Sequence, residues 1–182
     1  MSSLSVYHVS SAEMPNKVLT HLEDIASTLA EHGVTFDRWQ AETPIAPGAT
    51  EEALIGAYRT QIDRLMTERG YLTVDVVSAG RDPSQRAERH AGPLEERQYA
   101  EDEVRFFFAA GRGLFSLHIG DFVYAVLCER NDLIGLPAGT RHWFDGGENP
   151  YFVALRLCKG GQGAEATLTG DDIASQFPRL ED

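Results

Sequence analysis

The second half of the chain is a succession of short apolar segments separated by turn-forming residues, and this pattern restricts the fold more than any other feature. Beyond Gly70 the content of β-branched and aromatic residues rises. The segments predicted as strands are residues 71–77, 104–108, 114–119, 122–128, 133–136 and 151–157. Glycine, asparagine and aspartate lie between them, for example at 120–121 and 131–132. Short strands joined by tight turns are typical of an antiparallel sandwich or small barrel.

The first half of the chain predicts helices instead. The predicted elements outside the β-rich part are strands at residues 4–9 and 34–39 and helices at 16–33, 50–70 and 171–178. Thr50 is a suitable N-cap ahead of two glutamates, and Gly33 and Gly70 are suitable C-terminal stops. The apolar stripes of these helices predict surfaces that pack against the β-rich part. The sequence therefore favours an α+β class that is mainly β, with helices outside a small barrel.

A length of 182 residues is ordinary for one domain with a substantial core. We expect a single domain over residues 1–182, with no linker or repeat. Its parts are a helical N-terminal elaboration at 1–70, the barrel at 71–168, and a C-terminal helix and tail at 169–182.

The charge of the chain argues against polyanionic partners. It has 28 acidic against 16 basic residues, for a net charge of −12. Such a surface repels phosphate backbones and anionic headgroups, so we expect neither nucleic acid nor membrane as a partner. No apolar run approaches the roughly 20 residues of a bilayer span, and the N-terminus lacks a signal-peptide pattern. Cys128 and Cys158 lack CxxC spacing and predict buried, reduced thiols in a cytoplasmic protein.

Two stretches carry candidate chemistry. If residues 97–106 form one strand, its period of two places a set of polar side chains on one face. That set is Arg97, Tyr99, Glu101, Glu103 and Arg105. The second stretch, residues 137–142, is a turn that delivers His142 to the start of the pair Trp143–Phe144. A carboxylate inside a barrel is costly unless it is paired or binds a metal, so a carboxylate and an imidazole that converge there form half of a metal site.

These stretches resemble the metal-binding motifs of the cupin superfamily, and their flanks resemble bacterial acireductone dioxygenase. Pro-x-Gly-x-x-His at 137–142 is similar to the second cupin motif, and Glu-Asp-Glu-Val-Arg-Phe-Phe at 101–107 is similar to the acidic end of the first. Further similar segments are residues 36–40, 111–119, 124–129, 131–134 and 169–174. The resemblance covers nearly the whole chain. It implies a cupin-type antiparallel β-barrel with N-terminal helices packed outside and a short C-terminal helix.

The resemblance also implies an activity and a metal. The family cleaves the acireductone of methionine salvage with O2, giving formate and a 2-oxo acid with Fe(II), or carbon monoxide release with Ni(II). Its members bind the ion through a His-x-His pair, a later Glu and a distant His. By position, Glu103 and His142 match the last two ligands, and Arg105 matches a family arginine suited to steadying substrate or site charge. A small-molecule substrate and a monomer or weak oligomer are implied with it.

The chain departs from the family at the His-x-His pair. Counting back from Glu103 places Tyr99 at the second His and Arg97 at the first. Arginine stays protonated and offers no lone pair, so Arg97 is not expected to ligate. Tyr99 could ligate only as a phenolate, which its ordinary pKa of about 10 disfavours. A second departure is Gly163–Ala164, where the family usually has Gly-Trp.

Two functions stay open at this point. One is a working dioxygenase whose site is completed by Tyr99, water or His90. The other is a metal-poor or metal-free barrel that binds small molecules or partners; here the Arg97 guanidinium is expected to pair with the Glu103 carboxylate. Altered cupin chemistry, such as isomerisation, has no positive support in the sequence.

We interpret His90 as a surface histidine and His118 as a hydrogen-bonded one. The acidic group interpreted as a solvated face is Glu95, Glu96, Glu101 and Asp102.

Overall fold

Two antiparallel β-sheets form the body of the protein in a computed structural model, which describes residues 2–39, 50–79, 95–99, 103–147, 151–159 and 166–180. The strands are β1 Ser3–His8, β2 Lys17–Leu19, β3 Thr35–Arg38, β4 Thr73–Ala79, β5 Arg97–Tyr99, β6 Val104–Gly111, β7 Gly113–Ile119, β8 Phe122–Cys128, β9 Asp132–Leu136, β10 Arg141–Asp145, β11 Phe152–Cys158 and β12 Ala166–Leu168. The helices are α1 Leu22–Ala30, α2 Glu51–Ala57 and α3 Arg59–Arg69, with a 3-10 helix at Ile173–Gln176.

The two sheets pack face to face around an aromatic core. The first has the order β12-β5-β10-β7-β8-β1-β2 and the second β3-β9-β6-β11-β4. Phe106 and Phe108 of the second sheet contact Phe115 of the first, with ring centroids 5.1 and 6.1 Å apart. We call the space between the inner faces the lumen. The predicted antiparallel, mainly β architecture is confirmed, with the described strands in two facing sheets that are not closed into one continuous barrel.

Helices α2 and α3 cover the outer face of the second sheet. Leu54 and Ile62 from these helices share a buried cluster with Phe107 of β6. As predicted, Thr50 caps this helical region by accepting a hydrogen bond from the backbone N–H of Ala53 at 3.2 Å. The predicted single helix is instead two, because Tyr58 leaves helical geometry. Its buried ring makes an edge contact with Phe107 at 4.5 Å between centroids.

The helix predicted from residue 16 begins later than expected. Residues 17–19 form β2, which pairs antiparallel with β1, and α1 starts only at Leu22. Val18 is 55% exposed, so its apolar side chain does not belong to a helical stripe. The physical reason is the free edge of β1, whose backbone groups hydrogen-bond the incoming segment in extended form. Ile25 and Leu29 are buried as predicted.

The C-terminal helix is a 3-10 helix of four residues, Ile173–Gln176, and ends before Pro178. Asp171 accepts a hydrogen bond from the backbone N–H of Ile173 at 3.0 Å, next to the start of this helix. In the described part of the chain, no helix is long and apolar enough to cross a bilayer.

Asp145, the last residue of β10, holds the C-terminal segment against the first sheet. Its buried carboxylate accepts hydrogen bonds from the backbone N–H groups of Gly147 at 2.9 Å and Leu180 at 2.8 Å, and from Arg179 Nε at 3.3 Å. Burial alone would raise the pKa of Asp145, but the hydrogen bonds and the charge of Arg179 outweigh it and hold the pKa below its ordinary value. The carboxylate is therefore a stabilising charge at neutral pH.

We expect Asp145→Asn to lower the free energy of unfolding at neutral pH by about 2 kcal/mol, since hydrogen bonds to a charged group are the stronger kind. A carboxyl whose folded-state pKa is lowered adds its full contribution to the free energy of unfolding above about pH 5. That contribution is lost as the pH falls through the folded-state pKa. The stability difference between the natural chain and the variant, measured by urea unfolding, should therefore stay constant above about pH 5 and narrow as the pH falls toward about 3. Asp121→Asn at an exposed turn is the control; a difference that does not change with pH would contradict the argument.

Candidate active site

Strands β5 and β10 place three of the candidate side chains at the lumen. Arg97 lies directly opposite His142 in the register of these strands, so both side chains belong to the same face. The Tyr99 ring stacks on the His142 ring, with centroids 5.2 Å apart and an interplanar angle of 18°. Tyr99 and His142 are buried, whereas Arg97 is exposed at the end of β5. The structure thus brings together Arg97, Tyr99 and His142, three of the positions at which the sequence resemblance predicts metal ligands.

The protonation states of this pair follow from burial. Burial raises the pKa of Tyr99, against the opposing effects of Arg156 and Arg97, so the phenol is protonated at neutral pH. Burial lowers the pKa of His142, and the charge of Arg97 lowers it further against a hydrogen bond to Thr140. Nδ1 of His142 lies 3.1 Å from the Thr140 carbonyl oxygen. A carbonyl only accepts, so we infer that Nδ1 carries the proton and that Nε2 offers a lone pair.

Arg156 is a fourth member of this group, and sequence reasoning missed it. It lies on β11 opposite Asp75 of β4 and donates to both carboxylate oxygens, at 3.1 and 2.6 Å. Its guanidinium also interacts with Tyr99. Arg156 is the only charged residue of β11, and Asp75 is the only charged residue of β4. These single charges are the sequence signal from which the pair could have been predicted. We call Arg97, Tyr99, His142 and Arg156 the lumenal cluster.

Glu103 and Arg105 lie outside the lumenal cluster. The Glu103 carboxylate accepts a hydrogen bond from Arg105 Nε at 2.9 Å, and the same Nε lies 2.9 Å from the hydroxyl of Tyr71. Val104 and Phe106 belong to the core between the sheets, whereas Tyr71 and Phe107 belong to the cluster under α2 and α3. Alternation along β6 therefore directs Arg105 to the helix-covered face.

Gly135 makes room for this ion pair. Gly135 of β9 lies opposite Arg105, and a Cβ atom there would come within 3.1 Å of a Glu103 carboxylate oxygen and 3.2 Å of an Arg105 side-chain carbon. Arg105 is buried, and Glu103 is only partly exposed. The pair is thus built into the packing of the second sheet.

Two predictions about this region are wrong. Residues 97–106 do not form one strand with a shared face, because β5 belongs to the first sheet and β6 to the second. The predicted contact between Arg97 and Glu103 is also not formed: Glu103 binds Arg105, while Arg97 is exposed opposite His142. The physical reason is the change of sheet between Tyr99 and Glu103, which leaves Arg105 as the local cationic partner. Positions 100–102, His90 and Gly163–Ala164 lie outside the described residues.

The side chains at the family's metal positions do not fit a divalent ion as they are arranged. Within the described residues, His142 offers Nε2, but Tyr99 is a protonated phenol and Arg97 a cation. The Glu103 carboxylate is engaged by Arg105. Metal binding at these positions would require the Glu103 carboxylate to leave Arg105 and turn toward the lumen, where His142 lies.

The prediction that His118 is hydrogen-bonded is confirmed, and the prediction that Glu96 is solvated is wrong. His118 is hydrogen-bonded as expected, with Nδ1 2.7 Å from a Glu96 carboxylate oxygen. Glu96, interpreted as part of a solvated face, is buried. Its carboxylate also accepts a hydrogen bond from the Thr169 hydroxyl at 2.6 Å. Because His118 and Thr169 lie far from Glu96 in the sequence, the residues around Glu96 did not indicate that it is buried.

Comparisons with known proteins agree on one family. The sequence model of the ARD/ARD' family matches residues 6–166. The acireductone dioxygenases of Pseudomonas syringae pv. syringae and Pseudomonas aeruginosa are 72% and 63% identical over 182 residues, which is 100% of each chain. A solved structure, the acireductone dioxygenase from Bacillus anthracis with a cadmium ion in its active center, has a TM-score of 0.74 at 24% identity, covering 90% of this chain and 95% of that one. That likeness confirms the cupin-type fold.

Proposed function

We propose that this chain, which belongs to the ARD/ARD' family of acireductone dioxygenases, cleaves the acireductone of methionine salvage with O2. The observation that carries the proposal is identity of 72% with an acireductone dioxygenase over the full length of both chains. With Fe(II), the proposed products are formate and a 2-oxo acid. With Ni(II), the proposed reaction releases carbon monoxide.

The positive charge and the hydrogen-bond donors of the lumenal cluster suit an anionic, oxygen-rich ligand. An acireductone in its enediolate form presents two neighbouring oxygens with negative charge. Arg97 and the Arg156 guanidinium supply positive charge around Tyr99, and the protonated phenol can donate a hydrogen bond. The ring centroid of Phe106 lies 6.3 Å from that of Tyr99, and the ring centroid of Phe115 lies 6.4 Å from that of His142. These two phenylalanines offer an apolar wall for an aliphatic tail.

The proposed metal would be held by fewer side chains than the family resemblance implies, because Arg97 and Tyr99 occupy two of the ligand positions. Fe(II) or Ni(II), when bound, would supply the chemistry that activates the substrate toward O2. Glu103 and His142 are the proposed ligands by family position, and the free Nε2 of His142 supports one of them. Because the remaining side chains do not fit an ion, we assign no step of the reaction to it. The residues themselves bind and orient the enediolate.

We propose one domain, in the cytoplasm, as a monomer or weak oligomer. Cys128 and Cys158 are buried and are not joined in a disulfide, which supports a reducing compartment. Size-exclusion chromatography over a range of concentrations tests the oligomeric state.

Turnover tests the function directly. We expect the purified chain, reconstituted anaerobically with Fe(II), to consume acireductone and O2 and to release formate. His142→Ala should reduce the rate at least about 100-fold, because it removes the lumenal imidazole. The matched control is His21→Ala, an exposed histidine ahead of α1.

A different result would change the class of the protein. If neither Fe(II) nor Ni(II) raises acireductone decay above the rate without protein, the dioxygenase proposal fails. Calorimetric titration of acireductone under anaerobic conditions then separates a binding protein, which gives a saturable heat, from a chain that has lost the ligand.

A further inference from the structure

A second group of metal-donor side chains lies on the outer face of the first sheet. Glu96 precedes β5, His118 belongs to β7, and Asp171 precedes the 3-10 helix. One potential ligand atom from each lies within 4.8 Å of the other two. We call these three residues the outer triad.

The sheet register separates the outer triad from the lumenal cluster. His118 lies opposite Arg141, the neighbour of His142 in β10, so His118 and His142 occupy opposite faces. Trp143, on the same face as Arg141, packs with Ile173 of the 3-10 helix. The outer triad therefore lies where the C-terminal segment meets the sheet.

The carboxylate of Glu96 is buried with a deficit of positive charge. Its side chain has 0% exposure, and its bonded partners are Nδ1 of His118 and the hydroxyl of Thr169. Among the described residues, no lysine or arginine forms an ion pair with Glu96 or Asp171. Arg141, across the strand from His118, is exposed. A buried carboxylate beside a second acid is costly unless a cation offsets both.

We propose that Glu96, His118 and Asp171 bind a divalent transition-metal ion of the Zn2+ class. One imidazole and two carboxylates are a donor set that such ions accept, at about 2.0–2.2 Å from each donor atom. Two carboxylates neutralise the charge of the ion, and exposed Asp171 leaves a route from solvent. The bound ion would join β7, the residue before β5 and the C-terminal segment.

The outer triad changes how metal content is interpreted. One equivalent of metal in the purified protein would not show that the lumenal cluster is occupied, because the outer triad is an independent place for it. Zn2+ binding at the outer triad is independent of acireductone cleavage and is measured without turnover.

The test uses the full chain without a histidine tag, stripped of metal with a chelator. Calorimetric titration with Zn2+, and absorption spectra with Co2+, should show at least one equivalent bound, and one equivalent should remain bound in His142→Gln. We expect His118→Gln and Asp171→Asn each to weaken Zn2+ binding by at least about 10-fold, since each removes or weakens a direct ligand. The matched control is His21→Gln, which removes an exposed imidazole ahead of α1 and should leave this binding unchanged.

Asp171→Asn also guards against a folding artefact. Asparagine keeps the side-chain oxygen that accepts from the Ile173 N–H, so the 3-10 helix should remain. Thermal unfolding of the variant without metal checks this. The proposal is overturned if the natural chain binds no Zn2+ or Co2+, or if binding is lost in His142→Gln but kept in Asp171→Asn.

Discussion

Replacing Arg97 and Tyr99 together by histidine should raise Fe(II)-dependent acireductone cleavage at least about 100-fold over the natural chain. Both positions already face the lumen beside His142: Arg97 is its cross-strand neighbour, and Tyr99 stacks on its ring at 5.2 Å. Loss of a residue that merely supports a metal ligand costs about 10- to 100-fold, so gaining two direct ligands should exceed that range. The double variant also removes the cation that lowers the pKa of His142.

Gln98→His provides the matched control. It adds an imidazole to the same short strand, but on the opposite face, since neighbouring residues of a strand alternate. Rates of O2 uptake and formate release would be compared for the natural chain, both single variants, the double variant and this control. If the double variant is no faster than Gln98→His, the histidine pair is not what limits this site. The engagement of Glu103 by Arg105 would then be the obstacle to examine.

The strands could be predicted from sequence because their signals are local. Turn residues such as Gly120 and Asn131 take left-handed backbone conformations between β7 and β8 and between β8 and β9. Thr50 and Gly70 likewise mark helix ends with their own chemistry. β2 could not be predicted in this way, because its conformation depends on an edge that β1 provides.

The site was only partly predictable because its contacts join distant segments. His142 was identified from a turn motif, but its stacking on Tyr99 depends on which strands become neighbours. Period-two alternation fails between Tyr99 and Glu103, where the chain changes sheets. Glu96 has its bonded partners 22 and 73 positions away, at His118 and Thr169. Such charges look solvated until the fold closes around them.

Arg105→Met should lower the free energy of unfolding by about 3 kcal/mol, the low end of the range for breaking a buried ion pair. Methionine keeps much of the packing volume but leaves the Glu103 carboxylate and the Tyr71 hydroxyl without the Nε–H that both contact at 2.9 Å. Partial exposure of Glu103 keeps the cost from being larger. Urea unfolding at pH 7 measures the change. Arg64→Met, on the exposed surface of α3, should stay within about 0.5 kcal/mol.

A double variant separates a structural ion pair from a substrate-binding arginine. If Arg105 serves mainly to neutralise Glu103, the variant Arg105→Met with Glu103→Gln should be more stable than Arg105→Met alone, because no buried charge is left without its partner. The family position of Arg105 instead suggests contact with substrate. Unchanged stability of Arg105→Met with a large loss of acireductone turnover would favour that role. It would also mean that the arginine leaves the helix-covered face and reaches the lumen during the reaction, because the hydrogen bonds to Glu103 and Tyr71 hold it on the other side of the sheet.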